Sequence, residues 1–205
     1  MAHSHFALAL ASTLLLAACQ SVDLDVSDHG TTFFSARARK ELGTGVDAPR
    51  TFVELSADSV EGTASVLDYR IRAIELGGGI ETDFGERFWG GLSGGLAFHH
   101  AELDTTPSDF DDETGFGGYA AVEGGFRAAS WLLLYARADS TLYFGRLTTR
   151  DRIEVGARIP LAGPAALYAG WRQAQYAFDD SDSGLVFDSI DLEASGLVLG
   201  LLLDF

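Results

Sequence analysis

The residues best able to do chemistry in this chain are acids and bases that recur with one parity. Glu54, Glu75, Glu123, Asp139 and Glu154 share a face with Arg137, Arg152, Arg158 and Arg172 if the surrounding runs are strands. Tyr119, Tyr135, Tyr143 and Tyr168 fall on the same face. Successive side chains of a strand point to opposite sides, so such a face, backed by an apolar one, predicts charges enclosed together. Enclosed charges must be paired or hydrogen-bonded, and the arrangement predicts a network of ion pairs filling an interior. The other use of the same residues is a charged path for a small solute. For nucleophilic chemistry the candidates are His99, His100 and Ser93. His100 has Glu102 two residues away on its own face, and Ser93 lies on the opposite face far down the strand, so neither arrangement brings a base to a nucleophile.

Two acidic stretches are a second candidate site. Asp104, Asp109, Asp111, Asp112 and Glu113 have no base among them, nor do Asp179, Asp180, Asp182, Asp188, Asp191 and Glu193. Oxygen-rich loops suit Ca²⁺ or Mg²⁺, which makes Asp109, Asp111, Asp112, Asp179, Asp180 and Asp182 candidate ligands. Residues 179–184 resemble the start of an EF-hand loop, but its twelfth position is Ile190, so the bidentate carboxylate is missing. The competing reading is a solvated, self-repelling loop with no cofactor.

The elements that must position these groups read as strands at about 50–60, 66–82, 87–103, 114–127, 131–146, 149–160, 165–178 and 188–205. Residues 83–86, 128–130 and 161–164 are tight connections; those between tend to be longer and more polar, above all 104–114 and 179–189. The face opposite the charges carries Leu92, Leu96, Val122, Leu134, Ala136, Leu142, Ile153, Val155 and Ile159 without interruption by a charge. Phe98, Phe116 and Phe144 lie on it beside the longer loops, and Phe88, Phe126 and Phe205 beside the short turns or the chain end. Two strands change parity: Leu67, Tyr69, Ile71 and Ala73 give way to Ile74, Leu76 and Ile80, and Ile190, Leu192 and Ala194 give way to Leu197. A β-bulge near Ala73-Ile74 and near Ser195-Gly196 would restore register. Alternatively, the upper strand halves rise above a bilayer, where the alternation is not enforced.

The last eleven residues organise this pattern. Leu197, Leu199, Leu201, Leu203 and terminal Phe205 line one face of the final strand. The segment resembles the C-terminal signature of bacterial outer-membrane β-barrels, which the barrel-assembly machinery reads. The resemblance, to small barrels of the outer-membrane protein A or X kind, covers most of the chain at the level of architecture. It implies an all-β fold, an antiparallel up-and-down transmembrane β-barrel of about eight strands over 49–205, with a lumen just filled by side chains. Outer-membrane lipids and lipopolysaccharide would be its partners. Small barrels that deacylate lipid A carry a His and a Ser two residues apart; here Glu102 takes the place of that Ser, and no enzyme is expected.

The N-terminus reads as a targeting segment. Phe6–Ala18 is apolar, and Leu16-Ala17-Ala18-Cys19 is similar to the lipobox of bacterial lipoproteins, in which Cys19 would be acylated after removal of residues 1–18. The preceding Met1–His5 carries no Lys or Arg. Residues 19–48 then form a lipid-anchored linker and a periplasmic or interfacial segment. Thr31–Leu42 within it reads equally as a strand or as a helix with Arg37 and Glu41 one turn apart. If both chain ends are periplasmic the strand count is even, which leaves that stretch outside the wall. A net charge of −16 excludes nucleic acid as a partner. The expected location is the outer membrane of a Gram-negative envelope, with a structural or surface-interaction role. A narrow channel or small-solute binder is the alternative, and a lipid-modifying enzyme the third.

Overall fold

The computed structural model describes residues 23–43, 49–64, 67–105, 108–109, 112–161, 163–179 and 189–204. Their strands are β1 (Asp23–Gly43), β2 (Arg50–Ala64), β3 (Leu67–Phe84), β4 (Phe88–Thr105), β5 (Ser108–Asp109), β6 (Glu113–Ala129), β7 (Leu132–Phe144), β8 (Leu147–Pro160), β9 (Ala165–Asp179) and β10 (Ser189–Asp204). Nine long strands close into a barrel in the order β3-β2-β1-β10-β9-β8-β7-β6-β4, with β4 returning to β3. The two-residue β5 folds back on the end of β4. No described residue is helical.

The expected all-β barrel of about eight strands is present with nine, and only its wholly antiparallel order is corrected, at one seam. Thr31–Leu42 belongs to the wall: β1 pairs antiparallel with β2 and parallel with β10, from Asp23↔Ser189 to Arg39↔Asp204. Residues 23–43 are therefore not a linker, and the barrel reaches beyond 49–205. The even-count rule fails because a parallel closing pair lets an odd number of strands form a ring. A parallel pair needs a long crossover between its members, and here the rest of the barrel supplies it. The wall also begins and ends at opposite rims, so the expectation that both its ends face one side is corrected too.

Loop length sorts the rims less than expected. Ala64 pairs directly with Leu67, and only two residues lie between Phe144 and Leu147, so only two of the four upper connections are long. At the lower rim Gly85, with φ of 75°, makes the tight turn between β3 and β4, a backbone conformation that glycine adopts without steric penalty.

Both parity changes prove to be changes of chemistry. β3 alternates without a shift in pairing to either neighbour: Leu67, Tyr69, Ile71, Ala73 and Glu75 all point inward, while Arg70, Arg72, Ile74 and Leu76 point outward. No bulge exists at Ala73-Ile74. β10 is likewise regular, and the one shift beside Ser195-Gly196 lies on its neighbour, at Gly30 of β1 (φ 104°). The barrel thus has two halves of opposite character. Its upper interior is apolar, built from Val60, Leu67, Ile71, Leu103, Leu147, Phe178, Ile190 and Leu192, under a polar outer face. Its lower interior is charged, under an outer face of large apolar side chains that runs from Leu201, 38% exposed, to Phe144, 72% exposed.

Candidate functional site

The lower interior brings together every residue assigned to it from sequence: Glu54, Glu75, Glu123, Arg137, Asp139, Arg152, Glu154, Arg158 and Arg172 are all buried. Alternation on β2, β3, β6, β7, β8 and β9 aims them at one axis. Arg137 of β7 reaches Glu54 of β2 at 3.2 Å, Asp139 at 3.3 Å and Glu123 at 3.7 Å. Arg152 holds Asp139 at 2.8 Å and Glu75 at 3.2 Å. Arg158 holds Glu123 at 3.0 Å and lies 4.4 Å above the Tyr135 ring. Glu154 accepts from Arg172 at 2.5 Å and from the Tyr135 hydroxyl.

Four members escaped the sequence reading. Arg37 and Arg39 were lost with β1; Arg39 bridges Glu54 at 2.9 Å and Glu123 at 2.6 Å, and Arg37 meets Glu123 at 3.3 Å. Asp58 sits between Arg152 at 2.5 Å and Arg172 at 2.8 Å, and Arg150 bonds Glu75. Asp58 continues the parity of Glu54, and Arg150 that of Arg152, so both were legible. The inward parity of Arg37 and Arg39 was visible only if β1 was admitted to the wall.

The guanidiniums of Arg37, Arg39, Arg137, Arg150, Arg152, Arg158 and Arg172 are matched in number by the carboxylates of Glu54, Asp58, Glu75, Glu123, Asp139, Glu154 and Glu81, the last 2.8 Å from Arg39. The chain as a whole is −16, so its acidic surplus lies outside the network. Between charged and apolar layers, beside Phe33, Asp58 and Tyr176, the free space is about 10 Å³, room for at most one water. Below the network an open vestibule of about 350 Å³, lined by Arg50, Phe52, Glu81, Trp89 and Arg127, faces the tight-turn rim.

At the upper rim the contacts clasp connections. Asp28 accepts hydrogen bonds from Thr31 at 2.7 Å and from Tyr69 at 2.8 Å, and burial, with that carboxylate alongside, pushes the Tyr69 phenol well up. Glu113 accepts from the backbone N–H of Leu147 at 3.1 Å and from that of Arg146. Burial alone would raise its pKa, but the adjacent His99 ring and the two N–H donors outweigh it and hold the carboxyl below the ordinary range. His99 is buried against Tyr143, while His100 is a half-exposed rim residue 3.2 Å from Glu102.

Of the acidic-loop candidates, Asp112 and Asp179 are exposed and Asp109 lies in β5; Asp111, Asp180 and Asp182 fall outside the described residues. Among the described residues no three His, Cys, Asp or Glu side chains are grouped to hold a metal. Leu197, Leu199 and Leu201 face outward as expected, Leu203 is half-buried, and Cys19 and Phe205 lie outside the described residues. No family model, curated protein or solved structure matches this chain.

Proposed function

We propose that this chain is a small outer-membrane β-barrel, of the outer-membrane protein A or X kind in architecture, whose lumen is closed by ion pairs and whose role is structural or at the cell surface. One observation carries the reading: the lower half is inverted, with charge inside and large apolar side chains outside. A barrel bathed in water gains nothing by exposing Leu92, Leu96, Ile153 and Leu199 around buried arginines. A barrel crossing a bilayer needs that arrangement.

The apolar belt has a sharp upper edge. The next outward residues above Ile74, Phe98, Ile153, Trp171 and Leu197 are Arg72, His100, Asp151, Gln173 and Ser195. Phe98, Phe116 and Phe144 occupy neighbouring strands near this edge, and Phe84 and Phe88 pair near the lower one. That placement suits aromatic side chains at the two interfaces of a membrane. The apolar leader and the lipobox at Cys19 support export and acylation. On this reading the tight-turn rim is periplasmic, and Asp23, paired with Ser189, stands at the other rim.

The test uses the full chain refolded into phospholipid vesicles. It should float with the vesicles, shift its gel mobility on heating, and give no steady single-channel conductance in planar bilayers. Steady conductance would overturn the closed lumen, and failure to float would overturn the membrane reading itself.

A further inference from the structure

Across the parallel seam, His29 of β1 lies beside Ser195 of β10, with Nδ1 2.9 Å from the serine Oγ. On the other side of Ser195, its pairing partner on β9 is Gln173, whose amide donates to Glu193 at 2.9 Å. The three side chains form a row over three strands on the outer wall, with His29 and Gln173 exposed and Ser195 between them 5% exposed. This row stands at the edge where the outer face changes from apolar to polar, with Leu197, Trp171 and Phe34 exposed below it.

We propose that Ser195 and His29 are the nucleophile and general base of a hydrolase for acyl esters of membrane lipids, with Gln173 as donor to the oxyanion. The proposal rests on the membrane reading for its substrate. A serine hydroxyl is a weak nucleophile unless a base takes its proton, and an imidazole nitrogen at hydrogen-bond distance is the group that does so. With the His29 proton on Nε2, Nδ1 accepts from the Ser195 hydroxyl.

The location selects the substrate. An amphiphile whose acyl chain lies along the apolar belt and whose headgroup is in water holds its ester bond at the boundary between them. A shallow groove of about 630 Å³ opens on the same wall below the row, with Phe34, Ala36, Ala57, Ile74 and Leu199 along it and Arg72 at its upper end. Its small residues leave room for a chain, and Arg72 suits a phosphate-bearing headgroup.

Gly30 explains how the pair meets. At φ 104° it adds one residue to β1, so that His29 and Thr32 both face outward while Thr31 and Phe33 face inward. Without the extra residue, either His29 or the strand below it would point the wrong way.

The step balances without further cofactors. Ser195 Oγ bonds to the ester carbonyl carbon as its proton passes to His29 Nδ1, and the oxyanion forms toward Gln173. Collapse breaks the bond to the alcohol oxygen, which leaves with the proton from His29. Water then attacks the acyl-serine and gives a proton to His29. The fatty acid departs as that proton returns to Ser195.

The test is made on the full chain in vesicles, after flotation has shown that it is inserted. A fluorophosphonate probe should attach to Ser195, located by peptide mass spectrometry, and fatty acid should be released from phosphatidylethanolamine vesicles. His29→Ala should lower both by on the order of 10²-fold or more, while heat-modifiable mobility stays that of the wild type. Ser195→Cys should keep attachment of a thiol-reactive acyl analogue in a His29-dependent manner. An inserted wild type whose Ser195 stays unlabelled, or fatty-acid release equal in wild type and Ser195→Ala, would overturn the proposal and leave the membrane reading standing. A chain that does not float overturns the membrane reading first.

Discussion

Arg137 Nη1 lies 3.2 Å from Glu54 Oε1, although 83 residues separate them and their strands stand on opposite walls of the barrel. β2 and β7 are four steps apart one way round the nine-strand ring and five the other. The bond therefore crosses the lumen, as do Arg152 to Asp58 from β8 to β2 and Arg39 to Glu123 from β1 to β6. Such pairs join walls that no backbone ladder connects.

Arg137→Leu should consequently destabilise the barrel by about 3–5 kcal/mol, because Glu54 and Asp139 would be left with fewer counter-charges in a dry interior. Adding Glu54→Gln should recover part of that loss, and a remote outward change such as Thr63→Ala, exposed at the upper end of β2, should recover none. Urea unfolding of the four combinations in vesicles measures the coupling. Additive effects of Arg137→Leu and Glu54→Gln would contradict a cross-lumen bond.

Ile71 and Arg72 are adjacent on β3 in the upper half, where the interior is apolar. Ile71→Ala should cost about 2–5 kcal/mol by opening a cavity, whereas Arg72→Ala should cost under about 1 kcal/mol, its nearest carboxylate being Glu102 at 3.8 Å. A barrel apolar on the outside at this height would show the reverse order in the same unfolding measurement.

Most of this was legible in the sequence, because alternation aims side chains whatever the barrel's size. The nine charges assigned to the interior came from parity alone, and every one of them is there. The parallel seam was not legible. Nothing in Thr31–Leu42 separates a wall strand from a helix until β10 pairs with it, and an even strand count argued against it. With β1 set aside, Arg37, Arg39 and the His29–Ser195 contact disappeared together, since the last depends on two residues 166 positions apart. The switch in β3 left two readings open from sequence, a bulge or a change of surroundings along the strand, and its unshifted pairing with β2 and β4 rules out the bulge.

Glu113 gives the upper rim a pH dependence. Its carboxyl is held below the ordinary value in the folded chain, so it binds its proton less readily there than when unfolded. Its contribution is fully present above about pH 4.3, the ordinary value for glutamate, and is lost as pH falls through the lower folded value. Glu113→Gln should remove this acid-side dependence and raise amide exchange at Arg146 and Leu147 at neutral pH. Unchanged exchange at these two amides would contradict the clasp.

Cys19 should carry the mature N-terminus and its acyl chains. Labelled palmitate supplied to expressing cells should enter the wild type and be absent from Cys19→Ser. Equal incorporation in the two would remove the lipoprotein reading and leave the barrel untouched.

The bilayer-spanning account is tested most directly on β7, where Leu134, Ala136, Ser140 and Leu142 are exposed outward and Tyr135, Arg137, Asp139 and Thr141 are buried inward. Single cysteines from Leu132 to Leu142, on a Cys19→Ser background in lipid vesicles, are labelled with a fluorophore and exposed to a quencher confined to the acyl chains. Leu134→Arg provides a companion measurement, with an expected loss of roughly 2–4 kcal/mol for a guanidinium in the lipid-facing wall. The account predicts quenching at the even positions and protection at the odd ones. Equal quenching at both, or none at either, would contradict a β7 that crosses a bilayer.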